Sequence, residues 1–254
     1  MAFYDLSKEE RNQKVNKIFN DIFIAIEKDK FQKIETYSAD EDTYIRKTTY
    51  QNIGKIYFKY PDLQSNIINK LKQILKNKDE KIRQTTVNAA GEIGIKNFEI
   101  VESIFDIALL DEHHSVRNAV IGSVKKMSEK NPIPVLQWAK KYLHHADKEI
   151  RREICHGIEL RGRTHQQDIL PFLKELQFDT TARVRHTLIH VLGQIAYKKN
   201  CLETVIQELK TWKNKDLVLK AIDEIIDVHQ RYKDFSFYTQ EQAIQYIDKN
   251  FNTQ

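Results

Sequence analysis

Apolar residues recur along most of the chain at spacings that predict amphipathic helices arranged in a repeat. Each copy combines a polar, usually acidic residue, two variable positions, a branched apolar residue and a basic residue. The basic residue falls at positions 46, 83, 117, 151, 185 and 220, which gives steps of 37, 34, 34, 34 and 35 residues. A period this regular predicts an α-solenoid built from stacked helical units.

Each unit divides into two helices. In the second helix, apolar residues lie three, seven and ten positions beyond the basic residue, as Leu188, Leu192 and Ile195 do in the fifth copy. At about 100° per residue these positions share one arc, which is the face expected to be buried. Five apolar stretches predict the first helices, at 66–75, 98–109, 135–143, 169–176 and 205–209.

Polar residues in capping positions predict where the chain's outer helices begin. Ser7 and Glu10 have the spacing of a capping box at the start of the chain, and Thr239 and Gln242 have it near the end. We therefore expect one repeat domain over 1–254, with an N-terminal cap at 1–30, repeats at 31–231 and a C-terminal cap at 232–254.

The Asp-x-x-Val/Ile-Arg turn, the apolar second helix and the first helix over 168–176 resemble the HEAT-repeat family, across about residues 31–229. The resemblance implies an all-α fold, a right-handed α-α superhelix of about six repeats with capping helices. It also implies a structural ladder between neighbouring repeats, formed by Asp42, Asp79, Asp147, Arg46, Arg83, Arg117, Arg151 and Arg185. Such repeats serve many partners, so the resemblance is specific for the fold and says almost nothing about function.

Composition narrows the class of protein further. Seven Gly and four Pro are too few for the many tight turns of a β-barrel or β-sandwich. No uncharged apolar run is long enough to span a membrane, and the N-terminus lacks the apolar core of a signal peptide. With only Cys155 and Cys201, the chain fits a reducing compartment, and we expect a cytoplasmic monomer.

Positive charge is concentrated in one part of the chain. Residues 140–200 hold 12 Lys or Arg against 7 Asp or Glu, whereas the remainder is balanced at 29 and 29. The same window holds six of the nine histidines. An anionic partner would be attracted to this segment.

Two rows of polar positions lie opposite the apolar arc, at one and five residues beyond each repeat arginine. In copies four and five these rows hold Arg152, His186, His156 and His190. A polar face with cations suits an acidic protein segment or a nucleic-acid backbone, and the alternative is an ordinary solvated helix face.

The fourth copy departs from the repeat at Arg161, which stands on the apolar side where other copies have residues such as Ile93 or Ile195. A buried guanidinium needs a carboxylate partner, and Glu153 and Glu159 are the nearby candidates, unless the helix ends at Leu160 and Arg161 faces water. Arg163 and His165 follow and extend the basic patch.

Residues 149–165 also resemble a segment of the HEAT-like alkylpurine DNA glycosylases, through Ile150, Arg151, Arg152, Gly157 and Arg161. The chain departs from that pattern at His156, where an acid is expected, and at Glu159, which replaces an arginine. Gly162–Thr164 replaces the Leu-Pro-Trp-like end. The resemblance implies an alternative function, excision of alkylated bases from DNA, in which Glu153 or Glu159 assists departure of the base.

The leading prediction is a non-catalytic HEAT-repeat binding or scaffold module that grips an acidic protein surface or a nucleic-acid backbone. We expect no cofactor because the chain has no phosphate-binding glycine loop, and no metal site because its adjacent histidines lack zinc-ligand spacing. The residues assigned to the partner are Arg152, His156, Glu159, Arg161, Arg163, His186 and His190.

Overall fold

The computed structural model of the chain describes residues 3–251, and in that range it contains helices and no β-strand. The chain divides into two units, Met1–Pro134 and Val135–Gln254. None of the helices in the described range has both the length and the apolar character needed to cross a membrane. The predicted all-α fold of HEAT-like helical repeats is confirmed.

The first unit contains two short 3₁₀ turns, Phe3–Asp5 and Pro61–Leu63, and a series of α-helices. α3 packs against α1 and α5, and α5 packs against α6. The helices are α1 (Lys8–Glu27), α2 (Gln32–Ser38), α3 (Thr43–Lys59), α4 (Gln64–Ile74), α5 (Glu80–Ala108) and α6 (His114–Lys130).

Two helices of this unit differ from the sequence-based expectation. α2 is the first helix of the first repeat and was not predicted, because only Ile34 and Tyr37 give it an apolar side over seven residues. α5 runs through a kink at Asn97 (φ −130°, ψ 63°), so it joins the second helix of one repeat to the first helix of the next. The predicted helix at 98–109 is the part of α5 that follows the kink.

The second unit begins within α7 (Pro132–Tyr142). α11 packs against both α8 and α13, while α12 contacts α10 and α14. The remaining helices are α8 (Lys148–Gly157), α9 (Glu159–Gly162), α10 (Gln166–Glu175), α11 (Ala182–Ala196), α12 (Leu202–Lys210), α13 (Lys215–Arg231) and α14 (Gln240–Phe251).

Polar side chains fix the start of several helices. Ser7 accepts from the Glu10 main-chain nitrogen and Glu10 accepts from that of Ser7, so the first predicted capping box is present. Thr239 and Gln242 form the second one, with contacts of 2.9 and 3.2 Å. Residues 1–2 and 252–254, the outer ends of the two predicted caps, lie outside the described residues.

The sixth repeat begins two residues earlier than its sequence pattern suggested. Asn214 caps α13 by accepting from the Leu217 nitrogen, so the position equivalent to the repeat arginine is Val218 rather than Lys220. In this register the core positions are Ala221, Ile225 and Val228, all fully buried. The predicted register, in which Lys220 takes the place of the repeat arginine, was therefore wrong. The helix cap and the buried apolar positions set the register, whereas the basic side chain of Lys220 does not.

Candidate functional site

The repeat arginines are held inside the protein. Arg151 donates through Nε and Nη2 to both carboxylate oxygens of Asp179, at 2.6 and 3.0 Å, and through Nη1 to two carbonyl oxygens of the preceding loop. Arg83 repeats this arrangement with Asp111, at 2.7 and 3.0 Å. Each pair spans 28 residues and so joins one repeat to the next. Arg151 is therefore structural, as the sequence predicted.

The acids of this ladder are not the aspartates that the family resemblance implied. Asp42, Asp79 and Asp147 instead cap their own helices, each accepting from the main-chain nitrogen two residues later at 2.8 Å. This contact alone does not separate the two sets of aspartates, because Asp111 and Asp179 also accept from the main-chain nitrogen two residues later, at 2.8 Å. The difference is their position along the chain. Asp111 and Asp179 lie two residues before the cap position, where the side chain faces the arginine of the preceding repeat.

The second helix of the fourth repeat is divided at Ile158 into α8 and α9. The division brings Gly162 against the core, where an added Cβ atom would lie 2.4 Å from Cδ1 of Ile195. Arg161 pairs with Asp168 of α10, with Nη2 2.6 Å from Oδ2. The two acids suggested by the sequence, Glu153 and Glu159, are not the partners, because the broken helix turns Arg161 toward the start of the next helix.

Glu153 and Glu159 are themselves buried, each with a side chain 2% exposed. Glu159 accepts from Nη2 of Arg163 through Oε1 at 2.5 Å, and the same nitrogen of Arg163 lies 3.0 Å from Oε1 of Gln194. Glu153 lies 3.5 Å from Nη2 of Arg152. Three arginines assigned to a partner from the sequence, at 152, 161 and 163, thus have carboxylate partners within the protein.

Two guanidinium groups from neighbouring repeats surround the carboxylate of Glu149. Arg152 of α8 donates to Oε2 at 2.9 Å, and Arg183 of α11 lies 3.0 Å from Oε1. The Arg183 side chain is 65% exposed, compared with 19% for Arg152. Sequence reasoning missed Arg183, because it lies outside the two rows defined by the repeat arginine.

The histidines at the second row of copies four and five meet on this same face. The rings of His156 and His190 have centroids 6.0 Å apart at an angle of 77°. Nε2 of His156 lies 3.2 Å from Oε2 of Glu159, and Nδ1 of His190 lies 3.7 Å from Oε1 of Glu224. His186 is exposed on α11, one turn before His190. The structure therefore brings His156, Glu159 and His190 together.

The catalytic alternative gains no support from this geometry. A catalytic carboxylate must reach the substrate within hydrogen-bonding distance. Glu153 and Glu159 are buried and already contact arginine, and Cys155 is fully buried with its thiol pKa raised by that burial. The ion pairs hold these side chains in fixed positions on α8 and α9.

The spacing of residues in the sequence indicated part of the cluster of His156, Glu159 and His190. His156 and Glu159 have the i, i+3 spacing of side chains on one helix face, and His190 follows His156 by one repeat period. Nothing in the sequence singled out Asp168 or Glu224, because their role depends on the packing of a following helix.

Comparisons with known proteins point to helical-repeat architecture. Residues 28–158 match the family model described as sister chromatid cohesion protein PDS5. No curated protein sequence matches the chain.

Three solved structures illustrate the likeness. The HEAT-like repeats protein of the archaeon Thermococcus onnurineus has 15% identity and a TM-score of 0.40, with 88% of this chain and 98% of that chain covered. A chain from a structure of Kap95p binding to RanGDP has 14% identity and a TM-score of 0.47, with 96% and 36% covered. A computationally designed armadillo repeat protein for modular peptide recognition has 14% identity and a TM-score of 0.34, with 77% and 98% covered.

Proposed function

We propose that this chain, which belongs to the family described as sister chromatid cohesion protein PDS5, is a non-catalytic helical-repeat module that binds an acidic segment of a partner protein. The proposed binding face is formed by α8 and α11 of the second unit. Its side chains are Arg152, His156, Arg183, His186 and His190. From the family we carry over the repeat architecture alone.

The observation that supports this proposal most directly is the pair of guanidinium groups around Glu149. Arg152 and Arg183 lie 2.9 and 3.0 Å from its two carboxylate oxygens. Arg183 keeps most of its side chain exposed, so it can donate to a further carboxylate without breaking the existing contact. His186 and His190 follow on the same helix and add hydrogen-bonding groups beside it.

The pairing within this face favours a protein segment over a nucleic-acid backbone. Binding to a phosphate backbone depends on many protein cations that together displace the counterions condensed on the nucleic acid. Here Arg161 and Arg163 already form ion pairs with Asp168 and Glu159. In this proposal Arg161, Arg163 and Glu159 do not contact the partner but stabilise the position of the side chains that do. A few exposed donors are better matched to the spaced carboxylates of an acidic polypeptide.

Binding of a fluorescently labelled, Asp- and Glu-rich peptide, followed by anisotropy, tests the proposal. Arg183→Glu with His186→Glu places two negative charges on this face and should weaken binding by at least about tenfold, equivalent to about 1.4 kcal/mol. Both side chains are exposed, so Arg183→Glu breaks the partly exposed pair with Glu149 and leaves the buried pair of Arg163 with Glu159 in place. Removing Arg163 instead would leave the buried carboxylate of Glu159 without that partner and confuse folding with binding.

A matched control introduces two glutamates elsewhere in the second unit, at exposed Lys140 and Lys199. Lys140→Glu with Lys199→Glu should bind the peptide as the wild type does, apart from a small general effect of net charge. Equal loss in both double variants would contradict the assigned face. Binding to duplex DNA with a steep salt dependence, in the absence of peptide binding, would contradict a protein partner.

A further inference from the structure

We propose that His156, Glu159 and His190 form a binding site for a divalent transition-metal ion, with zinc the best match. One nitrogen of each imidazole and one oxygen of the carboxylate all lie within 4.8 Å of one another. The three residues come from α8, α9 and α11, so packing of two repeats assembles the site. The proposal does not depend on the protein partner proposed above.

The distances are close to those that a metal ion requires. Tetrahedral zinc with bonds of about 2.0–2.1 Å holds its ligand atoms about 3.4 Å apart. Oε2 of Glu159 and Nε2 of His156 are already separated by 3.2 Å. His190 is 42% exposed, so its side chain has room for the small rotation that would bring its nitrogen to the same spacing.

Neighbouring charged groups are placed to orient these ligands. Arg163 holds Oε1 of Glu159 at 2.5 Å, which leaves Oε2 on the side of His156. Glu224 lies 3.7 Å from Nδ1 of His190, where a carboxylate can fix the ring orientation of a metal-binding histidine. Glu159 and Glu224 also offset the charge of the ion. Arg163, and Arg231 at 3.1 Å from both oxygens of Glu224, lower the affinity relative to a wholly acidic surrounding.

The ligand set indicates which metals fit. Two imidazoles and one carboxylate suit zinc and its first-row neighbours, whereas calcium and magnesium prefer oxygen ligands alone. Three protein ligands leave a fourth position for water or for a side chain of another molecule. His156 and His190 are 31% and 42% exposed, so this position is accessible from the binding face.

Calorimetric titration of chelator-treated protein with zinc chloride tests the site. We expect one zinc ion per chain, and at least about 100-fold weaker binding in His156→Ala and in His190→Ala. Glu224→Gln should cost about tenfold, within the range typical of groups that orient a ligand. Cobalt(II) added instead of zinc should give the visible absorption of a low-symmetry site, and His190→Ala should lose it.

His144 offers a matched control, because it forms a surface pair with Glu175 at 2.8 Å and provides the same two ligand types. His144→Ala should bind zinc as tightly as the wild type. Circular dichroism and thermal unfolding in chelator establish that each variant is folded. Absence of saturable zinc binding, or equal affinity in the wild type and His190→Ala, would overturn the proposal, and acidic-peptide binding measured in chelator reports on the proposed function separately.

Discussion

Arg151 and Asp179, 28 residues apart, form a bidentate ion pair. The aspartate side chain is only 5% exposed. The same pair recurs between Arg83 and Asp111. The acid always lies six residues before the next repeat's basic residue, and at the corresponding place after Arg46 the chain has Asn77. The carboxylate ladder is therefore formed only where that position is Asp.

Loss of this pair should destabilise the second unit. Asp179→Ala leaves the Arg151 guanidinium, 12% exposed, without its charge partner, and we expect a loss of about 3 kcal/mol in the free energy of unfolding. Urea unfolding followed by circular dichroism measures it. Asp216→Ala, which removes an exposed pair with Lys220, should cost less than about 1 kcal/mol. Equal losses in the two variants would contradict a special role for the buried pair.

Low pH should destabilise the folded protein by protonating the carboxylates of this ladder. Burial is the largest single influence and raises the pKa of Asp111 and Asp179. The hydrogen bonds and charges of Arg83 and Arg151, together with main-chain hydrogen bonds from His113 and Thr181, lower it by more, so the pKa of each lies below its ordinary value of 3.8. A depressed folded-state pKa means that the stabilisation is present above the unfolded pKa and is lost as pH falls through the folded pKa.

The midpoint of thermal unfolding should therefore fall as pH is lowered below about 4. In Asp179→Asn that decline should be shallower, because the residue no longer takes up a proton. A decline as steep as in the wild type would assign the acid sensitivity to other carboxyl groups.

Two glycines of the first unit should respond to alanine in opposite directions. A Cβ atom on Gly91 would lie 2.4 Å from Oγ and 2.7 Å from Cβ of Ser123, so Gly91→Ala should cost about 1–3 kcal/mol through overpacking. A Cβ atom on Gly122 would meet no atom within 4 Å, and the residue lies inside α6. Gly122→Ala should stabilise the protein by about 0.5–1 kcal/mol.

Urea unfolding of these two variants, measured side by side, checks the prediction. Because both substitutions add the same methyl group to a helix, intrinsic helix propensity cancels in the comparison. Equal effects of the two substitutions would mean that α5 and α6 do not approach each other as closely as described.

The two cysteines should be unreactive in the folded protein. Burial raises the pKa of the Cys155 and Cys201 thiols, and the thiolate is the reactive species. A chromogenic disulfide reagent should label neither thiol in native buffer and both in urea. Rapid native labelling, located by mass spectrometry, would show that the surrounding helices open readily.

Much of the candidate site could be predicted from repeated positions, and the rest could not. His156 and His190 hold the same row position in successive copies, and their rings lie 6.0 Å apart because the helix period and the repeat period together fix which side chains are adjacent. Arg161 was expected to pair with Glu153 or Glu159, but it contacts Asp168, because the break at Ile158 changes its direction. Arg183 was not predicted because it lies outside the two rows, and only the packing of neighbouring repeats brings it to Glu149.

The sequence by itself determined the helical-repeat fold, its period and the buried face of the second helix in the better-preserved repeats, since these follow from local spacing of apolar residues and caps. The tertiary structure decided which charged side chains are paired within the protein and which remain available to a partner. It assigned Asp111 and Asp179 to the ladder, and it placed a carboxylate against each of Arg152, Arg161 and Arg163. Ion pairing depends on distances between side chains from different helices, and those distances are set only when the repeats pack.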